Sequence, residues 1–150
     1  MRSLIYGYGD TGKSFERYLK DKKIDFDIFD SNIAEYNQNY NFEDFDQILC
    51  SPGVPKDIFD NIKSQNINIF TDIDIFFNED KSVKIGITGT NRKSTTAFHL
   101  HQLLNKYKPS NLVGNIGNPM LDFINNGKEF SIIELSCLLY TSDAADDGIR

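Results

Sequence analysis

Residues 83–96 read VKIGITGTNRKSTT and join a short apolar strand to a helix through a glycine-containing loop. Such a loop can wrap its N–H groups around phosphates, while a lysine reaches the terminal phosphates and the next hydroxyl binds Mg²⁺. Lys93 and Ser94 stand at those two positions. The strict pattern G-x-x-x-x-G-K-[ST] fails at Ile87 and Arg92, where it requires glycine. A capped helix with a basic first turn is the alternative, but two cations there oppose the helix dipole unless an anion is present.

A second glycine turn lies near the amino terminus. Gly7-x-Gly9-x-x-Gly12 follows an apolar strand and opens a helix, so its backbone can approach a phosphate at a helix N-terminus. Asp30 ends the next predicted strand, where a dinucleotide-binding domain keeps the acid that binds ribose. The pattern indicates a nucleotide-diphosphate site without choosing the nucleotide. A tight strand–helix turn with no ligand is the alternative.

The remaining pattern alternates strands with helices. This alternation predicts an α/β chain with parallel sheets covered on both faces. A polar stretch at 78–82 is the best candidate for a linker. Strands are predicted at 3–6, 25–29, 47–50, 67–70, 83–88, 112–113 and 130–135, and helices at 11–22, 56–64, 72–77, 93–106 and 120–125. The helix at 93–106 is expected to bury a stripe formed by Ala97, Leu100, Leu104 and Tyr107.

Composition excludes several classes of protein. The chain has 150 residues, with 22 acids against 16 bases and a formal charge of −6. An acidic chain has no general attraction to nucleic acid or an anionic membrane, so we expect neither as a partner. No apolar run is long enough to span a bilayer, and the first residues lack a signal-peptide core. Two cysteines without metal spacing complete the expectation of a reduced, cytoplasmic protein.

Five motifs, in the same order, resemble those of the Mur ligase family. The loop at 87–95 is similar to the family's ATP loop, TGTNGK[ST]T. The resemblance covers roughly residues 1–137 and is closest to the ligase that adds D-glutamate. The other four stretches are the Gly7–Gly12 turn, Ser51-Pro52-Gly53-Val54-Pro55, Gly114-Asn115-Ile116-Gly117-Asn118-Pro119 and Ile133-Glu134-Leu135-Ser136.

The resemblance implies a role for each matching residue. The catalytic residues would be Lys93, on the phosphates, and Glu134, which would share Mg²⁺ with Ser94. An acid that ends an apolar strand beside a phosphate loop suits a metal on its own chemistry. ATP would be held by Gly89, Thr90, Asn91, Arg92, Lys93, Ser94 and Thr95. The UDP-sugar would meet Asp10 and Thr11 at its diphosphate, Asp30 at its uracil, Ser51 and Gly53 in the same pocket, and Asn115 at its muramoyl group.

The implied activity is ATP-dependent amide formation in peptidoglycan precursor synthesis. The carboxylate of UDP-N-acetylmuramoyl-L-alanine would attack the γ-phosphate, and D-glutamate would displace phosphate from the resulting acyl phosphate. Carboxylate and phosphate repel each other, so a lysine and Mg²⁺ between them make physical sense.

The resemblance also implies a domain plan. Residues 1–80 would form a Rossmann-like UDP-sugar-binding domain, and residues 81–137 the start of an incomplete P-loop ATPase domain. Residues 138–150 have an alien composition and are expected to be a non-native tail. We therefore expect a truncated chain without ligase activity. Arg92 replaces a family glycine and is expected to weaken ATP binding, although it could instead add a cation.

Two other functions compete with this interpretation. An L-alanine-adding Mur ligase has a similar first domain, but its loop carries histidine where this chain has Asn91. An NAD-binding regulatory or oxidoreductase domain would use the first glycine turn, but it leaves the second loop and Glu134 unexplained. His99 and His101 are two residues apart and do not share a helix face, so we expect no metal there.

Overall fold

The computed structural model describes residues 1–65, 68–116 and 118–135. These residues form two compact units. The first unit comprises Met1–Glu79 with Pro119–Asp122, and the second comprises Asp80–Asn118 with the described residues from Phe123 onward. The predicted tail at 138–150 lies outside the described residues, as do Gly117 and Ser136 from two of the motifs.

The first unit is built around a four-stranded sheet in which every pairing is parallel, in the order β2-β1-β3-β4. Two of the three crossovers contain an α-helix, as is usual for parallel pairing, whereas the crossover from Phe29 to Gln47 contains only a short 3₁₀ helix, Phe42–Asp44. The strands are β1 (Arg2–Tyr6), β2 (Asp25–Phe29), β3 (Gln47–Cys50) and β4 (Ile69–Phe70), and the helices are α1 (Asp10–Asp21), α2 (Lys56–Ser64) and α3 (Asp72–Glu79).

The core of this unit lies along the two central strands. All four residues of β3 are buried, and so are the three middle residues of β1. One cluster joins Leu4, Ile48 and Ile62 with Phe45. Central strands without a polar alternation are those of a sheet covered on both faces.

The strand order places a topological switch point between β1 and β3. From β1 the chain moves outward to β2, then crosses back to β3 on the other side. Tyr6 and Cys50, the last residues of β1 and β3, are directly paired. In open α/β sheets ligands bind in the crevice outside the carboxyl ends at such a point.

The second unit contains a three-stranded parallel sheet in the order β5-β7-β6. Its strands are β5 (Val83–Ile87), β6 (Ser110–Gly114) and β7 (Phe130–Glu134), and helix α4 (Lys93–Asn105) connects β5 to β6. The register aligns Ile87, Glu134 and Gly114, the last residues of the three strands, in one row. The loop after β5 therefore begins beside Glu134.

A buried polar network stabilises the opposite edge of this sheet. Asp80 is 6% exposed and accepts hydrogen bonds from the N–H groups of Ser82 and Asn125, at 3.0 and 2.9 Å. Ser82 also donates to the Ser131 hydroxyl at 2.6 Å, and the Asn111 amide donates to the same hydroxyl at 3.2 Å. Each buried polar group is paired, which is the condition for burying it cheaply.

The prediction of an α/β chain with parallel sheets is confirmed. The division between the two units falls between Glu79 and Asp80, inside the predicted linker at 78–82. This stretch is not a free loop, however, because α3 continues through Glu79 and Asp80 is buried. The predicted burial of Tyr107 is also wrong. This residue is 80% exposed because α4 ends at Asn105, so the helical periodicity no longer governs its direction. The predicted helix at 120–125 is a short 3₁₀ helix, Met120–Phe123.

Candidate functional site

The turn after β1 needs two of its three glycines for its own geometry. Gly7 has a φ of +90°, a backbone conformation that residues with a side chain rarely adopt. A β-carbon on Gly12 would stand 2.2 Å from the carbonyl oxygen of Gly7, so only glycine lets α1 start this close to the strand. Gly9 has an ordinary φ of −75° and nothing within 4 Å of its β-carbon position. The fold therefore leaves open space at Gly9, at the start of α1.

The amino end of α1 carries unused hydrogen-bond donors. Gly9 is the N-cap residue, and no side chain caps the helix. The first N–H groups of a helix have no partner within it, so they are available to an anion. Asp10 is exposed in the first turn and Thr11 is half-buried. A carboxylate there favours the helix dipole but repels a phosphate, so the backbone of this turn is its anion-binding part.

Ser51 links the two loops at the switch point. Its side-chain hydroxyl donates to the carbonyl oxygen of Gly7 at 2.7 Å, and its N–H donates to Tyr6 at 3.0 Å. Ser51 is 8% exposed, whereas Gly53, two residues later, is exposed with open space at its β-carbon position. The structure thus brings the Gly7–Gly12 turn and the Ser51–Gly53 turn together.

Asp30 closes the same edge of the sheet from β2. One oxygen of its carboxylate accepts the N–H of Tyr8 at 2.7 Å, and the other accepts the N–H of Asn32 at 2.8 Å. This carboxylate therefore fixes the glycine turn in addition to any part it plays in binding. The rings of Tyr8 and Tyr36 meet edge to face at 5.1 Å beside it. Sequence reasoning missed this aromatic pair, since nothing in its spacing indicates a contact.

A phenol at this edge is held neutral. The Tyr8 hydroxyl hydrogen-bonds to the Glu16 carboxylate, and this bond, with burial, raises the pKa of Tyr8 to about 12. A hydrogen bond from Lys20, followed by the bond from Tyr8, lowers the pKa of Glu16. The pair ties the glycine turn to the body of α1, so Tyr8 contributes packing and a hydrogen bond rather than a charge.

The loop before α4 is exposed and basic. Gly89 has φ +147°, and Arg92 takes a left-handed conformation with φ 60° and ψ 18° as the N-cap residue. Lys93 is half-buried at the first helical position, and the first turn has no acidic residue. Thr90, Asn91, Ser94 and Thr95 are exposed around it.

Glu134 and Ser94 meet at the carboxyl edge of the second sheet. The Ser94 hydroxyl lies 2.9 Å from Oε2 of Glu134, and Glu134 is 5% exposed. A hydroxyl beside a carboxylate is a pair of hard oxygen donors, the type that Mg²⁺ prefers. The residues present therefore fit a magnesium ion, although no larger cluster of His, Cys, Asp or Glu suited to a metal occurs among the described residues.

Asn115 reaches the same edge from β6. The N–H of Asn115 donates to the backbone oxygen of Glu134 at 3.1 Å, and Asn115 itself is exposed. Gly114 makes this approach possible, because a β-carbon there would stand 2.3 Å from that oxygen. The second unit thus collects the loop at 89–95, Glu134 and Asn115 at one edge.

Two curated relatives match most of this chain. The proteins named UDP-N-acetylmuramoylalanine--D-glutamate ligase from Francisella tularensis subsp. tularensis strain SCHU S4 and from subsp. novicida strain U112 are each 38% identical to it over 142 residues. This chain is similar to Mur ligases. The match takes in 89% of the chain but only 33% of each relative, so the chain spans about a third of their length.

Other comparisons add little to that similarity to Mur ligases. No protein-family model matches the chain. A solved structure of a pseudomurein peptide ligase type C from Methanothermus fervidus has a TM-score of 0.41 and 20% identity, over 90% of this chain and 33% of that one. Within the described residues, no helix has the length and apolar character that crossing a membrane requires.

Proposed function

We propose that this chain is the nucleotide-binding part of an ATP-dependent amide ligase of peptidoglycan precursor synthesis, which adds D-glutamate to UDP-N-acetylmuramoyl-L-alanine. The observation that carries the proposal is the Ser94–Glu134 pair, 2.9 Å apart at the start of a helix that follows a glycine-containing basic loop. A phosphate loop with a ready pair of oxygen donors suits a nucleoside triphosphate. The 38% identity to ligases of that name supports the choice of substrates.

In this proposal the second unit holds ATP. The backbone of residues 89–95 surrounds the phosphates, and the Lys93 ammonium neutralises the terminal ones. Ser94 and Glu134 would hold Mg²⁺, which supplies positive charge against the phosphate oxygens when bound. The charge of Lys93 also lowers the repulsion between a substrate carboxylate and the γ-phosphate.

The proposed reaction proceeds in two steps. A carboxylate oxygen of the L-alanine residue bonds to the γ-phosphorus, and the bond to ADP breaks. The amine of D-glutamate bonds to the carbonyl carbon, phosphate leaves with its electron pair, and the amine loses a proton. Each step exchanges one bond for another, so no oxidant or reductant is needed. ATP and nucleotide sugars are cytoplasmic substrates, which fits the expected compartment.

The first unit would bind the UDP-sugar at the β1–β3 switch point. Open space at Gly9 and Gly53 leaves room for a diphosphate beside the first N–H groups of α1. Asp10 and Thr11 follow Gly9 directly in that turn, and Asp30 accepts the N–H of Tyr8, whose ring packs against Tyr36.

A chimera tests the function directly. Residues 1–135 of this chain would replace the aligned segment of the Francisella tularensis ligase, and ADP release would be measured with UDP-N-acetylmuramoyl-L-alanine and D-glutamate. We expect turnover that requires both substrates and is lost in Lys93→Ala and Glu134→Gln. A folded chimera that binds neither ATP nor the UDP-sugar contradicts the proposal. NADH binding at Gly7–Gly12 without UDP-sugar binding or turnover would instead favour the dinucleotide alternative for the first unit.

A further inference from the structure

Arg92 occupies an unfavourable backbone conformation at the start of α4. Among the described residues only Lys23, Arg92 and Asn125 combine a side chain with a positive φ. A β-carbon in the left-handed region crowds the backbone, and glycine avoids that cost. The Arg92 side chain makes no capping hydrogen bond in return. The conformation is therefore held by the loop and not by a contact of the guanidinium group.

The charge at this position also has no ion-pair partner among the described residues. No described residue forms a salt bridge with Arg92 or Lys93. The nearby carboxylate of Glu134 is bound by Ser94 instead. Adjacent cations repel each other and also the positive end of the helix dipole. A polyvalent anion in the loop removes both penalties.

The side chain of Arg92 is exposed and does not fill the loop. The guanidinium group is therefore not buried in a position where it would crowd a bound phosphate. An exposed arginine can reach phosphate oxygens with two parallel N–H bonds, which a lysine cannot do. Since exposed ion pairs are screened by salt, any affinity gained in this way depends on ionic strength.

We propose that Arg92 is a second phosphate-binding cation of this loop, and that it raises the affinity for ATP over ADP at low ionic strength. The proposal rests on the proposed function, in which the loop holds ATP. It replaces the sequence-based expectation that Arg92 weakens ATP binding. An additional cation favours the more highly charged nucleotide because each phosphate oxygen adds attraction.

Calorimetric titration of the 150-residue chain tests this assignment, with Mg²⁺–ATP, Mg²⁺–ADP and inorganic tripolyphosphate as the probes. The key variant is Arg92→Asn, because asparagine tolerates the left-handed conformation but carries no charge. We expect its affinity for ATP and tripolyphosphate to fall on the order of fivefold in about 0.1 M salt, and the difference to vanish in about 1 M salt. The loss for ADP should be smaller. Arg92→Lys keeps the charge but not the paired N–H bonds, so its affinity should fall between those of the wild type and Arg92→Asn.

Two controls separate the possible failures. Lys106→Asn removes the same charge at the other end of α4 and should leave every affinity within a factor of about two. Lys93→Ala should abolish binding if the loop holds ATP at all. Equal or tighter binding by Arg92→Asn, with Lys93→Ala inactive, overturns the role of Arg92 and leaves the ATP loop standing. Wild-type binding that Lys93→Ala does not alter, or no wild-type binding by a folded chain, overturns both.

Discussion

The regions β1–α1 and β5–α4 are built alike, yet they differ in charge and in packing. Each joins a parallel strand to a helix through a glycine-containing turn. α1 begins with Asp10 and buries Phe15 and Leu19, whereas α4 begins with Lys93 and, of its residues, buries only Ala97. The same supersecondary unit therefore has an acidic residue in the first turn of one helix, whereas the other helix starts with cations that have no ion-pair partner in the described part of the chain.

This difference separates two ways of receiving a phosphate. At α1 the acid in the first turn offsets the dipole, so an anion must bind through backbone N–H groups in the open space at Gly9. At α4 the side chains of Arg92 and Lys93 add charge to the dipole, so the loop is suited to a more highly charged anion. Backbone geometry permits a phosphate in both turns, and side-chain charge determines which phosphate is favoured.

The largest test of the comparison concerns packing. Phe15→Ala removes a ring that is 0% exposed and should destabilise the first unit by about 3–5 kcal/mol, because it leaves a cavity. Phe98→Ala makes the same change on α4, where the ring is 47% exposed, and should cost less than about 1 kcal/mol. Urea unfolding followed by amide NMR signals of each unit measures both. Equal losses would show that the two helices are packed alike.

Glycine substitution tests the first turn at atomic detail. Gly12→Ala forces a β-carbon against the Gly7 carbonyl, 2.2 Å away, and should destabilise the first unit by about 3 kcal/mol. Gly9→Ala is the matched control, since nothing lies within 4 Å and its φ is ordinary. It should change unfolding by less than about 1 kcal/mol. A tolerated Gly12→Ala would mean that α1 can shift away from the strand.

Two buried aspartates give the units opposite responses to pH. In the first unit, burial raises the pKa of Asp72. Its folded form binds a proton more tightly than the unfolded chain, so its contribution to stability decreases as pH rises above 3.8. In the second unit, burial acts against Asp80, but bonds from Ser82 and Asn125 prevail and lower its pKa. Its contribution is present above 3.8 and is lost as pH falls below that value.

Asparagine variants isolate these contributions. Asp80→Asn should destabilise the second unit by about 2 kcal/mol at neutral pH, with the loss shrinking in acid. Asp72→Asn should be neutral or slightly stabilising at neutral pH, because Asn can still accept the Ile73 N–H and no charge is buried. Unfolding at several pH values provides the measurement. A loss at Asp72 equal to that at Asp80 would contradict the assigned directions.

The smallest expected effect is on the backbone of the second loop. Arg92→Gly relieves the left-handed conformation but adds flexibility to the unfolded chain, so it should stabilise the second unit by only about 0.5–1 kcal/mol. Lys23→Gly, at φ 56°, is the equivalent change after α1 in the first unit and should act similarly. Thermal unfolding at high salt suits both variants, because screening removes the effect of the lost charge. Destabilisation by Arg92→Gly would show that the side chain supports the loop.

Local patterns predicted much of this structure. The strands, the helices and the parallel sheets follow from periodicity and from the turns at Gly7–Gly12 and Ser51–Gly53. Ser94 and Glu134 were expected to share a metal, and they lie 2.9 Å apart, while the metal itself stays a prediction. These features depend on residues close in sequence or on the row of strand ends that a parallel sheet creates.

Contacts distant in sequence were not predictable. The bond from Ser51 to Gly7 depends on the register of β1 and β3, and the bond from Asn125 to Asp80 depends on where two loops meet. The polarity of residues 78–82 did not reveal that Asp80 is buried, because a buried aspartate and an exposed one are identical in sequence. The sequence shows that Arg92 departs from the family pattern, but only the structure shows that its backbone is left-handed.

Because Ile87, Glu134 and Gly114 lie in one row, the second site depends on the register of a single strand, β7. Side chains alternate between the two faces of a strand, so a shift of β7 by one residue would replace the carboxylate at this edge with the side chain of Ile133. One added residue within Phe130–Glu134 therefore removes an oxygen donor from this edge. In a redesign, the register of β7 therefore determines which side chain lies beside the loop before α4.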